Sequence, residues 1–380
     1  MHAEQRNRTR ALLQEKGFEC ALFANRESVG WLTGFVPPVN TGPNPFAGAP
    51  PLVWYEAGKF TLIVLDGWGE AAADFGKEPD GALVTYPTYT IHAPIQGPKN
   101  LLDALKPIFK SGRSAASIGV ELTDVNASTF IALKEAAKNG NFPSIDGWIR
   151  PMRKVKTAEE LVKLRENFHI SDVGHLAARK AVQPGKTELE VWEEIHAAMT
   201  VAAGYRVPIG NDCVVCTRQN NIGGWPANLL IRENDSVIID LSSVKYGYWS
   251  DSCATYYTGT PTQKMREMHA MALEAQALGK SLLKPGAVAK EIDKSLRDFV
   301  AKAGYPVYPH HSGHQVGLSG HEDPRIVPYC EETLEPGMVI MLEPGTYFPG
   351  ESGVRLEHAY LITETGCEQI TTHEIARLGE

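Results

Sequence analysis

The chain has 380 residues, 43% hydrophobic and 22% charged, with 37 Lys and Arg against 45 Asp and Glu and a formal net charge of −8. That composition is ordinary for a globular protein of one large or two average domains. The acid excess and the lack of any Lys/Arg run argue against nucleic acid or an anionic membrane as partner. No stretch reaches the roughly 18 apolar residues of a membrane span, and the charged start MHAEQRNRTRALLQEKGF is unlike a signal peptide, so a cytoplasmic location is expected.

From Arg6 to about Ile149, strand-like runs (CALFA, KFTLIVL, SIGVE) alternate with helical ones (RTRALLQEKG, PKNLLDALKPIF, NASTFIALKEAAKNG), the pattern of an α/β domain. A Pro/Gly-rich stretch between Phe35 and Pro51 interrupts it and reads as a long loop. A boundary is expected near IRPMRKVKTAEE, dividing the chain into 1–152 and 153–380. Thr157 with Glu160 three residues on forms a capping box for a helix carrying Leu161, Leu164, Phe168 and Val173. Three more helices follow, TELEVWEEIHAAMTVAAG, KMREMHAMALEAQALGKSLL and AKEIDKSLRDFVAKAG. Strands lie between and after them, which makes the second half, and the chain as a whole, α+β.

The six cysteines are scattered, as in a reducing compartment. Cys213 and Cys216 form a C-x-x-C, but no second pair completes a zinc site. The flanking NDCVVCT reads as a short strand with its thiols buried on opposite faces.

The informative region is C-terminal. In VIIDLSSVKYGYWSD, Asp240 and Asp251 are equidistant from a Lys245-Tyr246 turn; in EPGTYFPGESGVRLE, Glu343 and Glu357 are equidistant from Gly350. If both fold as hairpins, the acids become cross-strand neighbours with Cβ atoms about 4.5–5.5 Å apart, where like charges repel. Edge-strand charges kept in water are the bland alternative. Against it, Asp240 ends the run SVIID and Glu343 ends MVIMLE, and a buried unpaired carboxylate is costly. A cation between them removes that cost.

Four of the twelve histidines fall in HHSGHQVGLSGHEDP. In an extended backbone His310, Ser312 and His314 share a face and His311 points away. Asp240, Asp251, His314, Glu343 and Glu357 then make an oxygen-dominated donor set, suited to Mn²⁺, Co²⁺ or Fe²⁺ more than to structural zinc. Five ligands with bridging carboxylates are enough for two ions about 3.5–4 Å apart.

The order D, D, H, E, E in IIDLSS, WSDS, SGHQVGLSGHE, LEPGTYF and GVRLE resembles the pita-bread metallohydrolases, the creatinase/prolidase/aminopeptidase P group. RESVGWLTGF and RPMRKVKTAEELVKLREN resemble that family's N-terminal domain and the start of its catalytic domain, so the likeness spans nearly the whole chain. The resemblance implies a pita-bread catalytic domain preceded by a smaller α/β creatinase-type domain, two divalent ions, Mn most in keeping with the donors and Co, Fe or Zn as alternatives, and a homodimer. It also implies that Asp240 chelates one ion, Asp251 and Glu357 bridge, and His314 with Glu343 completes the second. Glu343 would serve as general base, with His310 holding the substrate carboxylate or proline side and His321 stabilising the tetrahedral intermediate.

From the sequence pattern, Arg355 and Tyr347 lie two or four residues from a ligand glutamate and share its face, where Arg355 would offset the acid surplus. Trp249, two residues before Asp251, is expected to wall the site for a proline ring or a quaternary cation. Two departures stand out. Gly223 and Gly224 lie where the family has a histidine, and Cys253 and Ala254 replace the usual first Thr and Arg after the second aspartate.

Three functions follow for comparison. The first is a dinuclear Xaa-Pro dipeptidase. The second is a metal-dependent hydrolase or lyase of a small zwitterion, as in dimethylsulfoniopropionate lyases, motivated by the missing histidine and the aromatics Tyr246, Tyr248, Trp249, Tyr256 and Tyr257. The third is a non-catalytic binding module, against which all five ligand positions speak.

Overall fold

The computed structural model describes residues 2–39, 46, 48–111, 117–218 and 222–375. These fall into two compact units, 1–152 and 153–380.

The first unit is built on a five-stranded sheet of β1 (Cys20–Phe23), β2 (Leu52–Glu56), β3 (Lys59–Leu65), β4 (Gly81–Tyr86) and β5 (Ile118–Val120), in the order β4-β3-β2-β1-β5. Its edge pairs are parallel and its two central pairs antiparallel. The sheet is therefore mixed, and more antiparallel than the strand/helix alternation suggests. The pattern missed β2 and β4, and with them the tight β2–β3 hairpin, whose turn residues Ala57 and Gly58 both have positive φ. Leu22, Trp54, Ile63, Tyr86 and Phe109 form the core. Of the Pro/Gly-rich stretch, residues 40–45 and 47 lie outside the described residues; the others join no helix or strand.

In the second unit the helix Ala158–Ala181 opens with the expected capping box of Thr157 and Glu160, and Glu188–Ala203 opens with a second one at Thr187 and Glu190. The helices Gln263–Leu282 and Ala289–Lys302 complete the set the sequence predicted. One sheet has β7 (Ser236–Lys245) at its centre, paired with β6 (Ile209–Val215) on one side and with β8 (Tyr248–Trp249) and β9 (Ser252–Tyr257) on the other. The second sheet runs β11-β10-β12-β15-β16, from β10 (Gly313–Gln315), β11 (Glu322–Ile326), β12 (Val339–Leu342), β15 (His358–Ile362) and β16 (Cys367–Gln369). β13 (Gly345–Phe348) and β14 (Ser352–Arg355) form a separate hairpin. A lone antiparallel bridge from Cys253 to Glu357 links β9 to the segment before β15. Cys213 and Cys216 are buried thiols, not joined by a disulfide, in different hydrophobic clusters, as their opposite strand faces predict.

One of the two hairpins follows expectation and the other departs from it. Pairs on both sides of Glu343 and Glu357 share one register, from Leu342 opposite His358 to Gly345 opposite Arg355, so the glutamates face each other as the symmetry about Gly350 required. In the other hairpin the turn is Tyr246-Gly247, both with positive φ, one residue later than the Lys245-Tyr246 turn expected. Glycine favours that mirror-image turn and shifts the ladder by two residues. Asp240 consequently faces Cys253, and Asp251 lies diagonally from it, in the break between β8 and β9.

Tyr246 holds a left-handed conformation costly for an aromatic residue, with its side chain 40% exposed. Tyr246→Asn is therefore expected to stabilise the chain by roughly 0.5–1 kcal/mol, read as a higher denaturant midpoint; an unchanged or lower midpoint would contradict the turn assignment.

Candidate metal centre

Buried hydrogen bonds from two helices hold the segments that carry Asp240, Asp251 and His314. Asn167, on the helix Ala158–Ala181, donates to the Ser243 carbonyl at 2.9 Å and to the Tyr248 carbonyl, and Ser171 bonds Ser250 at 2.7 Å. These bonds fix the hairpin that delivers Asp240 and Asp251. The histidine segment is anchored from the helix Ala289–Lys302: Ser312 donates to Asp293 at 2.6 Å, and Arg297 donates to the carbonyls of Tyr308 at 2.9 Å and His310 at 2.5 Å. Gly313 opens β10 because any Cβ there would collide with the Met341 carbonyl. That close approach seats His314 against β12.

The five residues converge. His314 Nε2 lies 3.5 Å from Glu343 Oε1, 3.6 Å from Asp251 Oδ2 and 3.8 Å from Glu357 Oε1. Asp240 and Asp251 are close enough for their carboxyls to hydrogen-bond. His314 Nδ1 is 2.9 Å from the Gln315 carbonyl, which can only accept, so Nδ1 carries the hydrogen and Nε2 presents a lone pair. Burial pushes this imidazole down to about 3, so it is neutral at pH 7. Glu343 Oε1 and Glu357 Oε1 are buried without a hydrogen-bond partner. Orphaned acceptors aimed at an imidazole lone pair are what a divalent cation satisfies, and the donor set fits one.

Electrostatics agree. Burial raises the carboxyls of Asp251 and Glu357 well above the usual range, with Asp240 and Glu343 adding to Asp251 and Asp251, Glu343 and Asp240 adding to Glu357. Burial also works to raise Glu343, but His311, His314 and His310 outweigh it and hold the carboxyl at about 2. Arg355 is the main internal counter-charge: it is buried, 2.7 Å from Asp240 Oδ2, and donates to the Tyr347 hydroxyl at 3.0 Å. Tyr347 in turn is 2.8 Å from His310 Nε2. His310 Nδ1 donates to the His311 carbonyl at 2.8 Å, so Nε2 accepts from Tyr347 and both ring nitrogens are engaged. His321 stacks on His314 at 4.1 Å and stays largely exposed. Trp249 packs beside Gly320, next to His321 in the chain.

His311 corrects the sequence reading. It was expected to point away, yet its Nε2 lies 2.6 Å from Glu343 Oε1. The strand begins only at Gly313, so alternation does not extend back to residues 310–312. His311 also joins His314 and His321 in a three-imidazole group with metal-binding spacing. Arg325 stands 2.6 Å from His311 Nδ1 and can only donate, so His311 Nε2 holds the hydrogen and cannot ligate. The same nitrogen, 2.6 Å from Glu343 Oε1, is the first of the histidines that lower that carboxyl. The density of histidines between 310 and 321 was the available signal for this residue.

Residues 162–364 match the model of metallopeptidase family M24, and residues 5–155 match the creatinase/prolidase N-terminal domain. The chain belongs to metallopeptidase family M24. Among relatives in this family, the Xaa-Pro dipeptidase of Pyrococcus furiosus is 35% identical over 70% of this chain and 77% of its own. The prolidase structure from Pyrococcus horikoshii superposes with a TM-score of 0.78 at 27% identity, over 98% of this chain and 99% of the other. The Xaa-Pro dipeptidase structure from Bacillus anthracis gives 0.80 at 26% identity, over 99% of each. An M24 metallopeptidase with a creatinase-type N-terminal domain and the pita-bread fold requires divalent metal, as the orphaned oxygens indicate. No helix among the described residues is long and apolar enough to cross a membrane.

Because burial and the neighbouring carboxylates favour the protonated forms of Asp251 and Glu357 in the metal-free site, metal binding there competes with protons. A raised carboxyl pKa in the folded state stabilises the metal-free fold below the ordinary carboxylate range near 4, a contribution lost as pH rises through the higher folded value. Proton release on adding Mn²⁺, read by calorimetry in two buffers of different ionisation heat, is expected, with metal affinity weakening as pH falls. Binding without proton release would contradict this arrangement.

Proposed function

We propose that this M24 chain is a dinuclear metal-dependent Xaa-Pro dipeptidase, with manganese the ion its oxygen-rich donors suit best. The observation that carries the reading is the pair of orphaned oxygens on Glu343 and Glu357 beside the free lone pair of His314. The relatives named for Xaa-Pro cleavage support the substrate class.

Asp240 would hold one ion, Asp251 and Glu357 both, and His314 with Glu343 the other. When bound, the ions supply Lewis-acid polarisation of the scissile carbonyl and a water activated at neutral pH. Glu343 is held ionised by its histidine neighbours and serves as proton acceptor for the attacking water. Arg355 holds Asp240 in place, and through Tyr347 it fixes His310 with its ring toward the site. His310 and Tyr347 together form the wall for the proline side of the substrate. His321 is the exposed donor for the oxyanion of the tetrahedral intermediate, and Trp249 supplies an apolar wall.

A second reading, a hydrolase or lyase of a small zwitterion, is favoured by Gly223, which leaves the place of the family's histidine without a side chain. A panel of Xaa-Pro dipeptides and betaine-like compounds separates the two. Turnover of the dipeptides by the Mn²⁺-loaded protein, abolished by chelation and restored by Mn²⁺ or Co²⁺, is expected. Glu343→Gln is expected to lower kcat by about 10²–10⁴-fold. A fully loaded protein inert toward every dipeptide would sink the dipeptidase reading, and consumption of a betaine-like compound would establish the second.

A further inference from the structure

Asp212, on β6, is the direct cross-strand partner of Asp240. Its side chain is one-third exposed and lies 3.8 Å from Arg355 Nη2, which is already bonded to Asp240 at 2.7 Å. The backbone N–H of Gly224 donates to the same carboxylate, and the Gly224 carbonyl accepts from Cys213 N at 3.3 Å, so the glycine loop lies across this strand. A Cβ on Gly223 would collide with Asp212 Oδ2 and stand 3.9 Å from Arg355 Nη2. Gly223 has no left-handed φ, so its backbone accepts any residue. The Asp212 carboxylate itself occupies the space a side chain at 223 would need. Where the family resemblance sets an imidazole, this chain sets an acid.

That acid lacks a full counter-charge. Arg355 is shared with Asp240, and the more distant Arg218 is bound to Glu188 at 3.1 Å.

We propose that Asp212 is a specificity-determining residue whose carboxylate receives the α-ammonium group of the substrate's leading residue. The proposal rests on the dipeptidase reading. Cross-strand partners have Cβ atoms about 5 Å apart, so Asp212 stands one step from a metal-site carboxylate. The α-ammonium is two bonds from the scissile carbonyl carbon, whereas a lysyl side-chain ammonium lies several bonds further out.

The test uses Mn²⁺-loaded wild type, Asp212→Asn and Gly223→Ala, with Ala-Pro as substrate and propionyl-proline, the same molecule without its ammonium, as competitive ligand. In Asp212→Asn the KM for Ala-Pro is expected to rise about tenfold or more with kcat within about threefold. The inhibition constant of propionyl-proline should stay within about twofold, and metal per chain should be unchanged. Gly223→Ala, which pushes the carboxylate aside without removing it, is expected to give the same pattern and remains informative if Asp212→Asn fails to fold. A KM within about twofold of wild type in both variants overturns the proposal, as does loss of bound metal, which would make Asp212 a ligand. A wild type that does not hydrolyse Ala-Pro fails the dipeptidase reading instead, before any variant is compared.

Discussion

Mutual repulsion among buried carboxylates is the constraint from which the second unit of this protein follows. Four acids and one imidazole are brought together in the buried interior of this unit, and internal compensation is incomplete. Arg355 reaches Asp240, histidines surround Glu343, and two carboxylate oxygens are left with nothing to accept from. A fold that tolerates this arrangement is one whose resting state includes cations. The supporting networks make sense in that light: Asn167, Ser171 and Ser250 under one hairpin, and Asp293, Arg297 and Ser312 under the histidine segment, hold in place side chains that would otherwise separate.

Much of this was legible in the residues because strand symmetry is a strong constraint. Glu343 and Glu357 could be paired by counting from Gly350, and the ladder runs in that register on both sides of them. The Asp240 hairpin was harder to read, since a turn displaced by one residue, set by Gly247 tolerating positive φ, converts opposed positions into diagonal ones. Both still converge on the site, because a two-residue shift preserves the face. The capping box at Thr157 gave one helix start from local chemistry alone, and the structure adds a second such box at Thr187.

What the sequence concealed depends on contacts between distant segments. His311 was misjudged because alternation presumes a strand, and residues 310–312 are held by side-chain bonds to a helix instead. Its inability to ligate comes from Arg325, fourteen positions later. Asp212 gave no signal, being one acid in a short strand; its meaning emerges only when Gly223 is laid against it. In the first unit, β2 and β4 went unseen because their pairing partners, not their own patterns, define them.

The ligands sit on five separate stretches of the second unit, and the backbone bridge from Cys253 to Glu357 ties two of these regions together. No short peptide cut from this sequence contains the donor set. Ion capture must therefore come late in the life history of each molecule, after long-range pairing is complete, so that the metal acts as a clasp on a finished architecture rather than a seed for its formation.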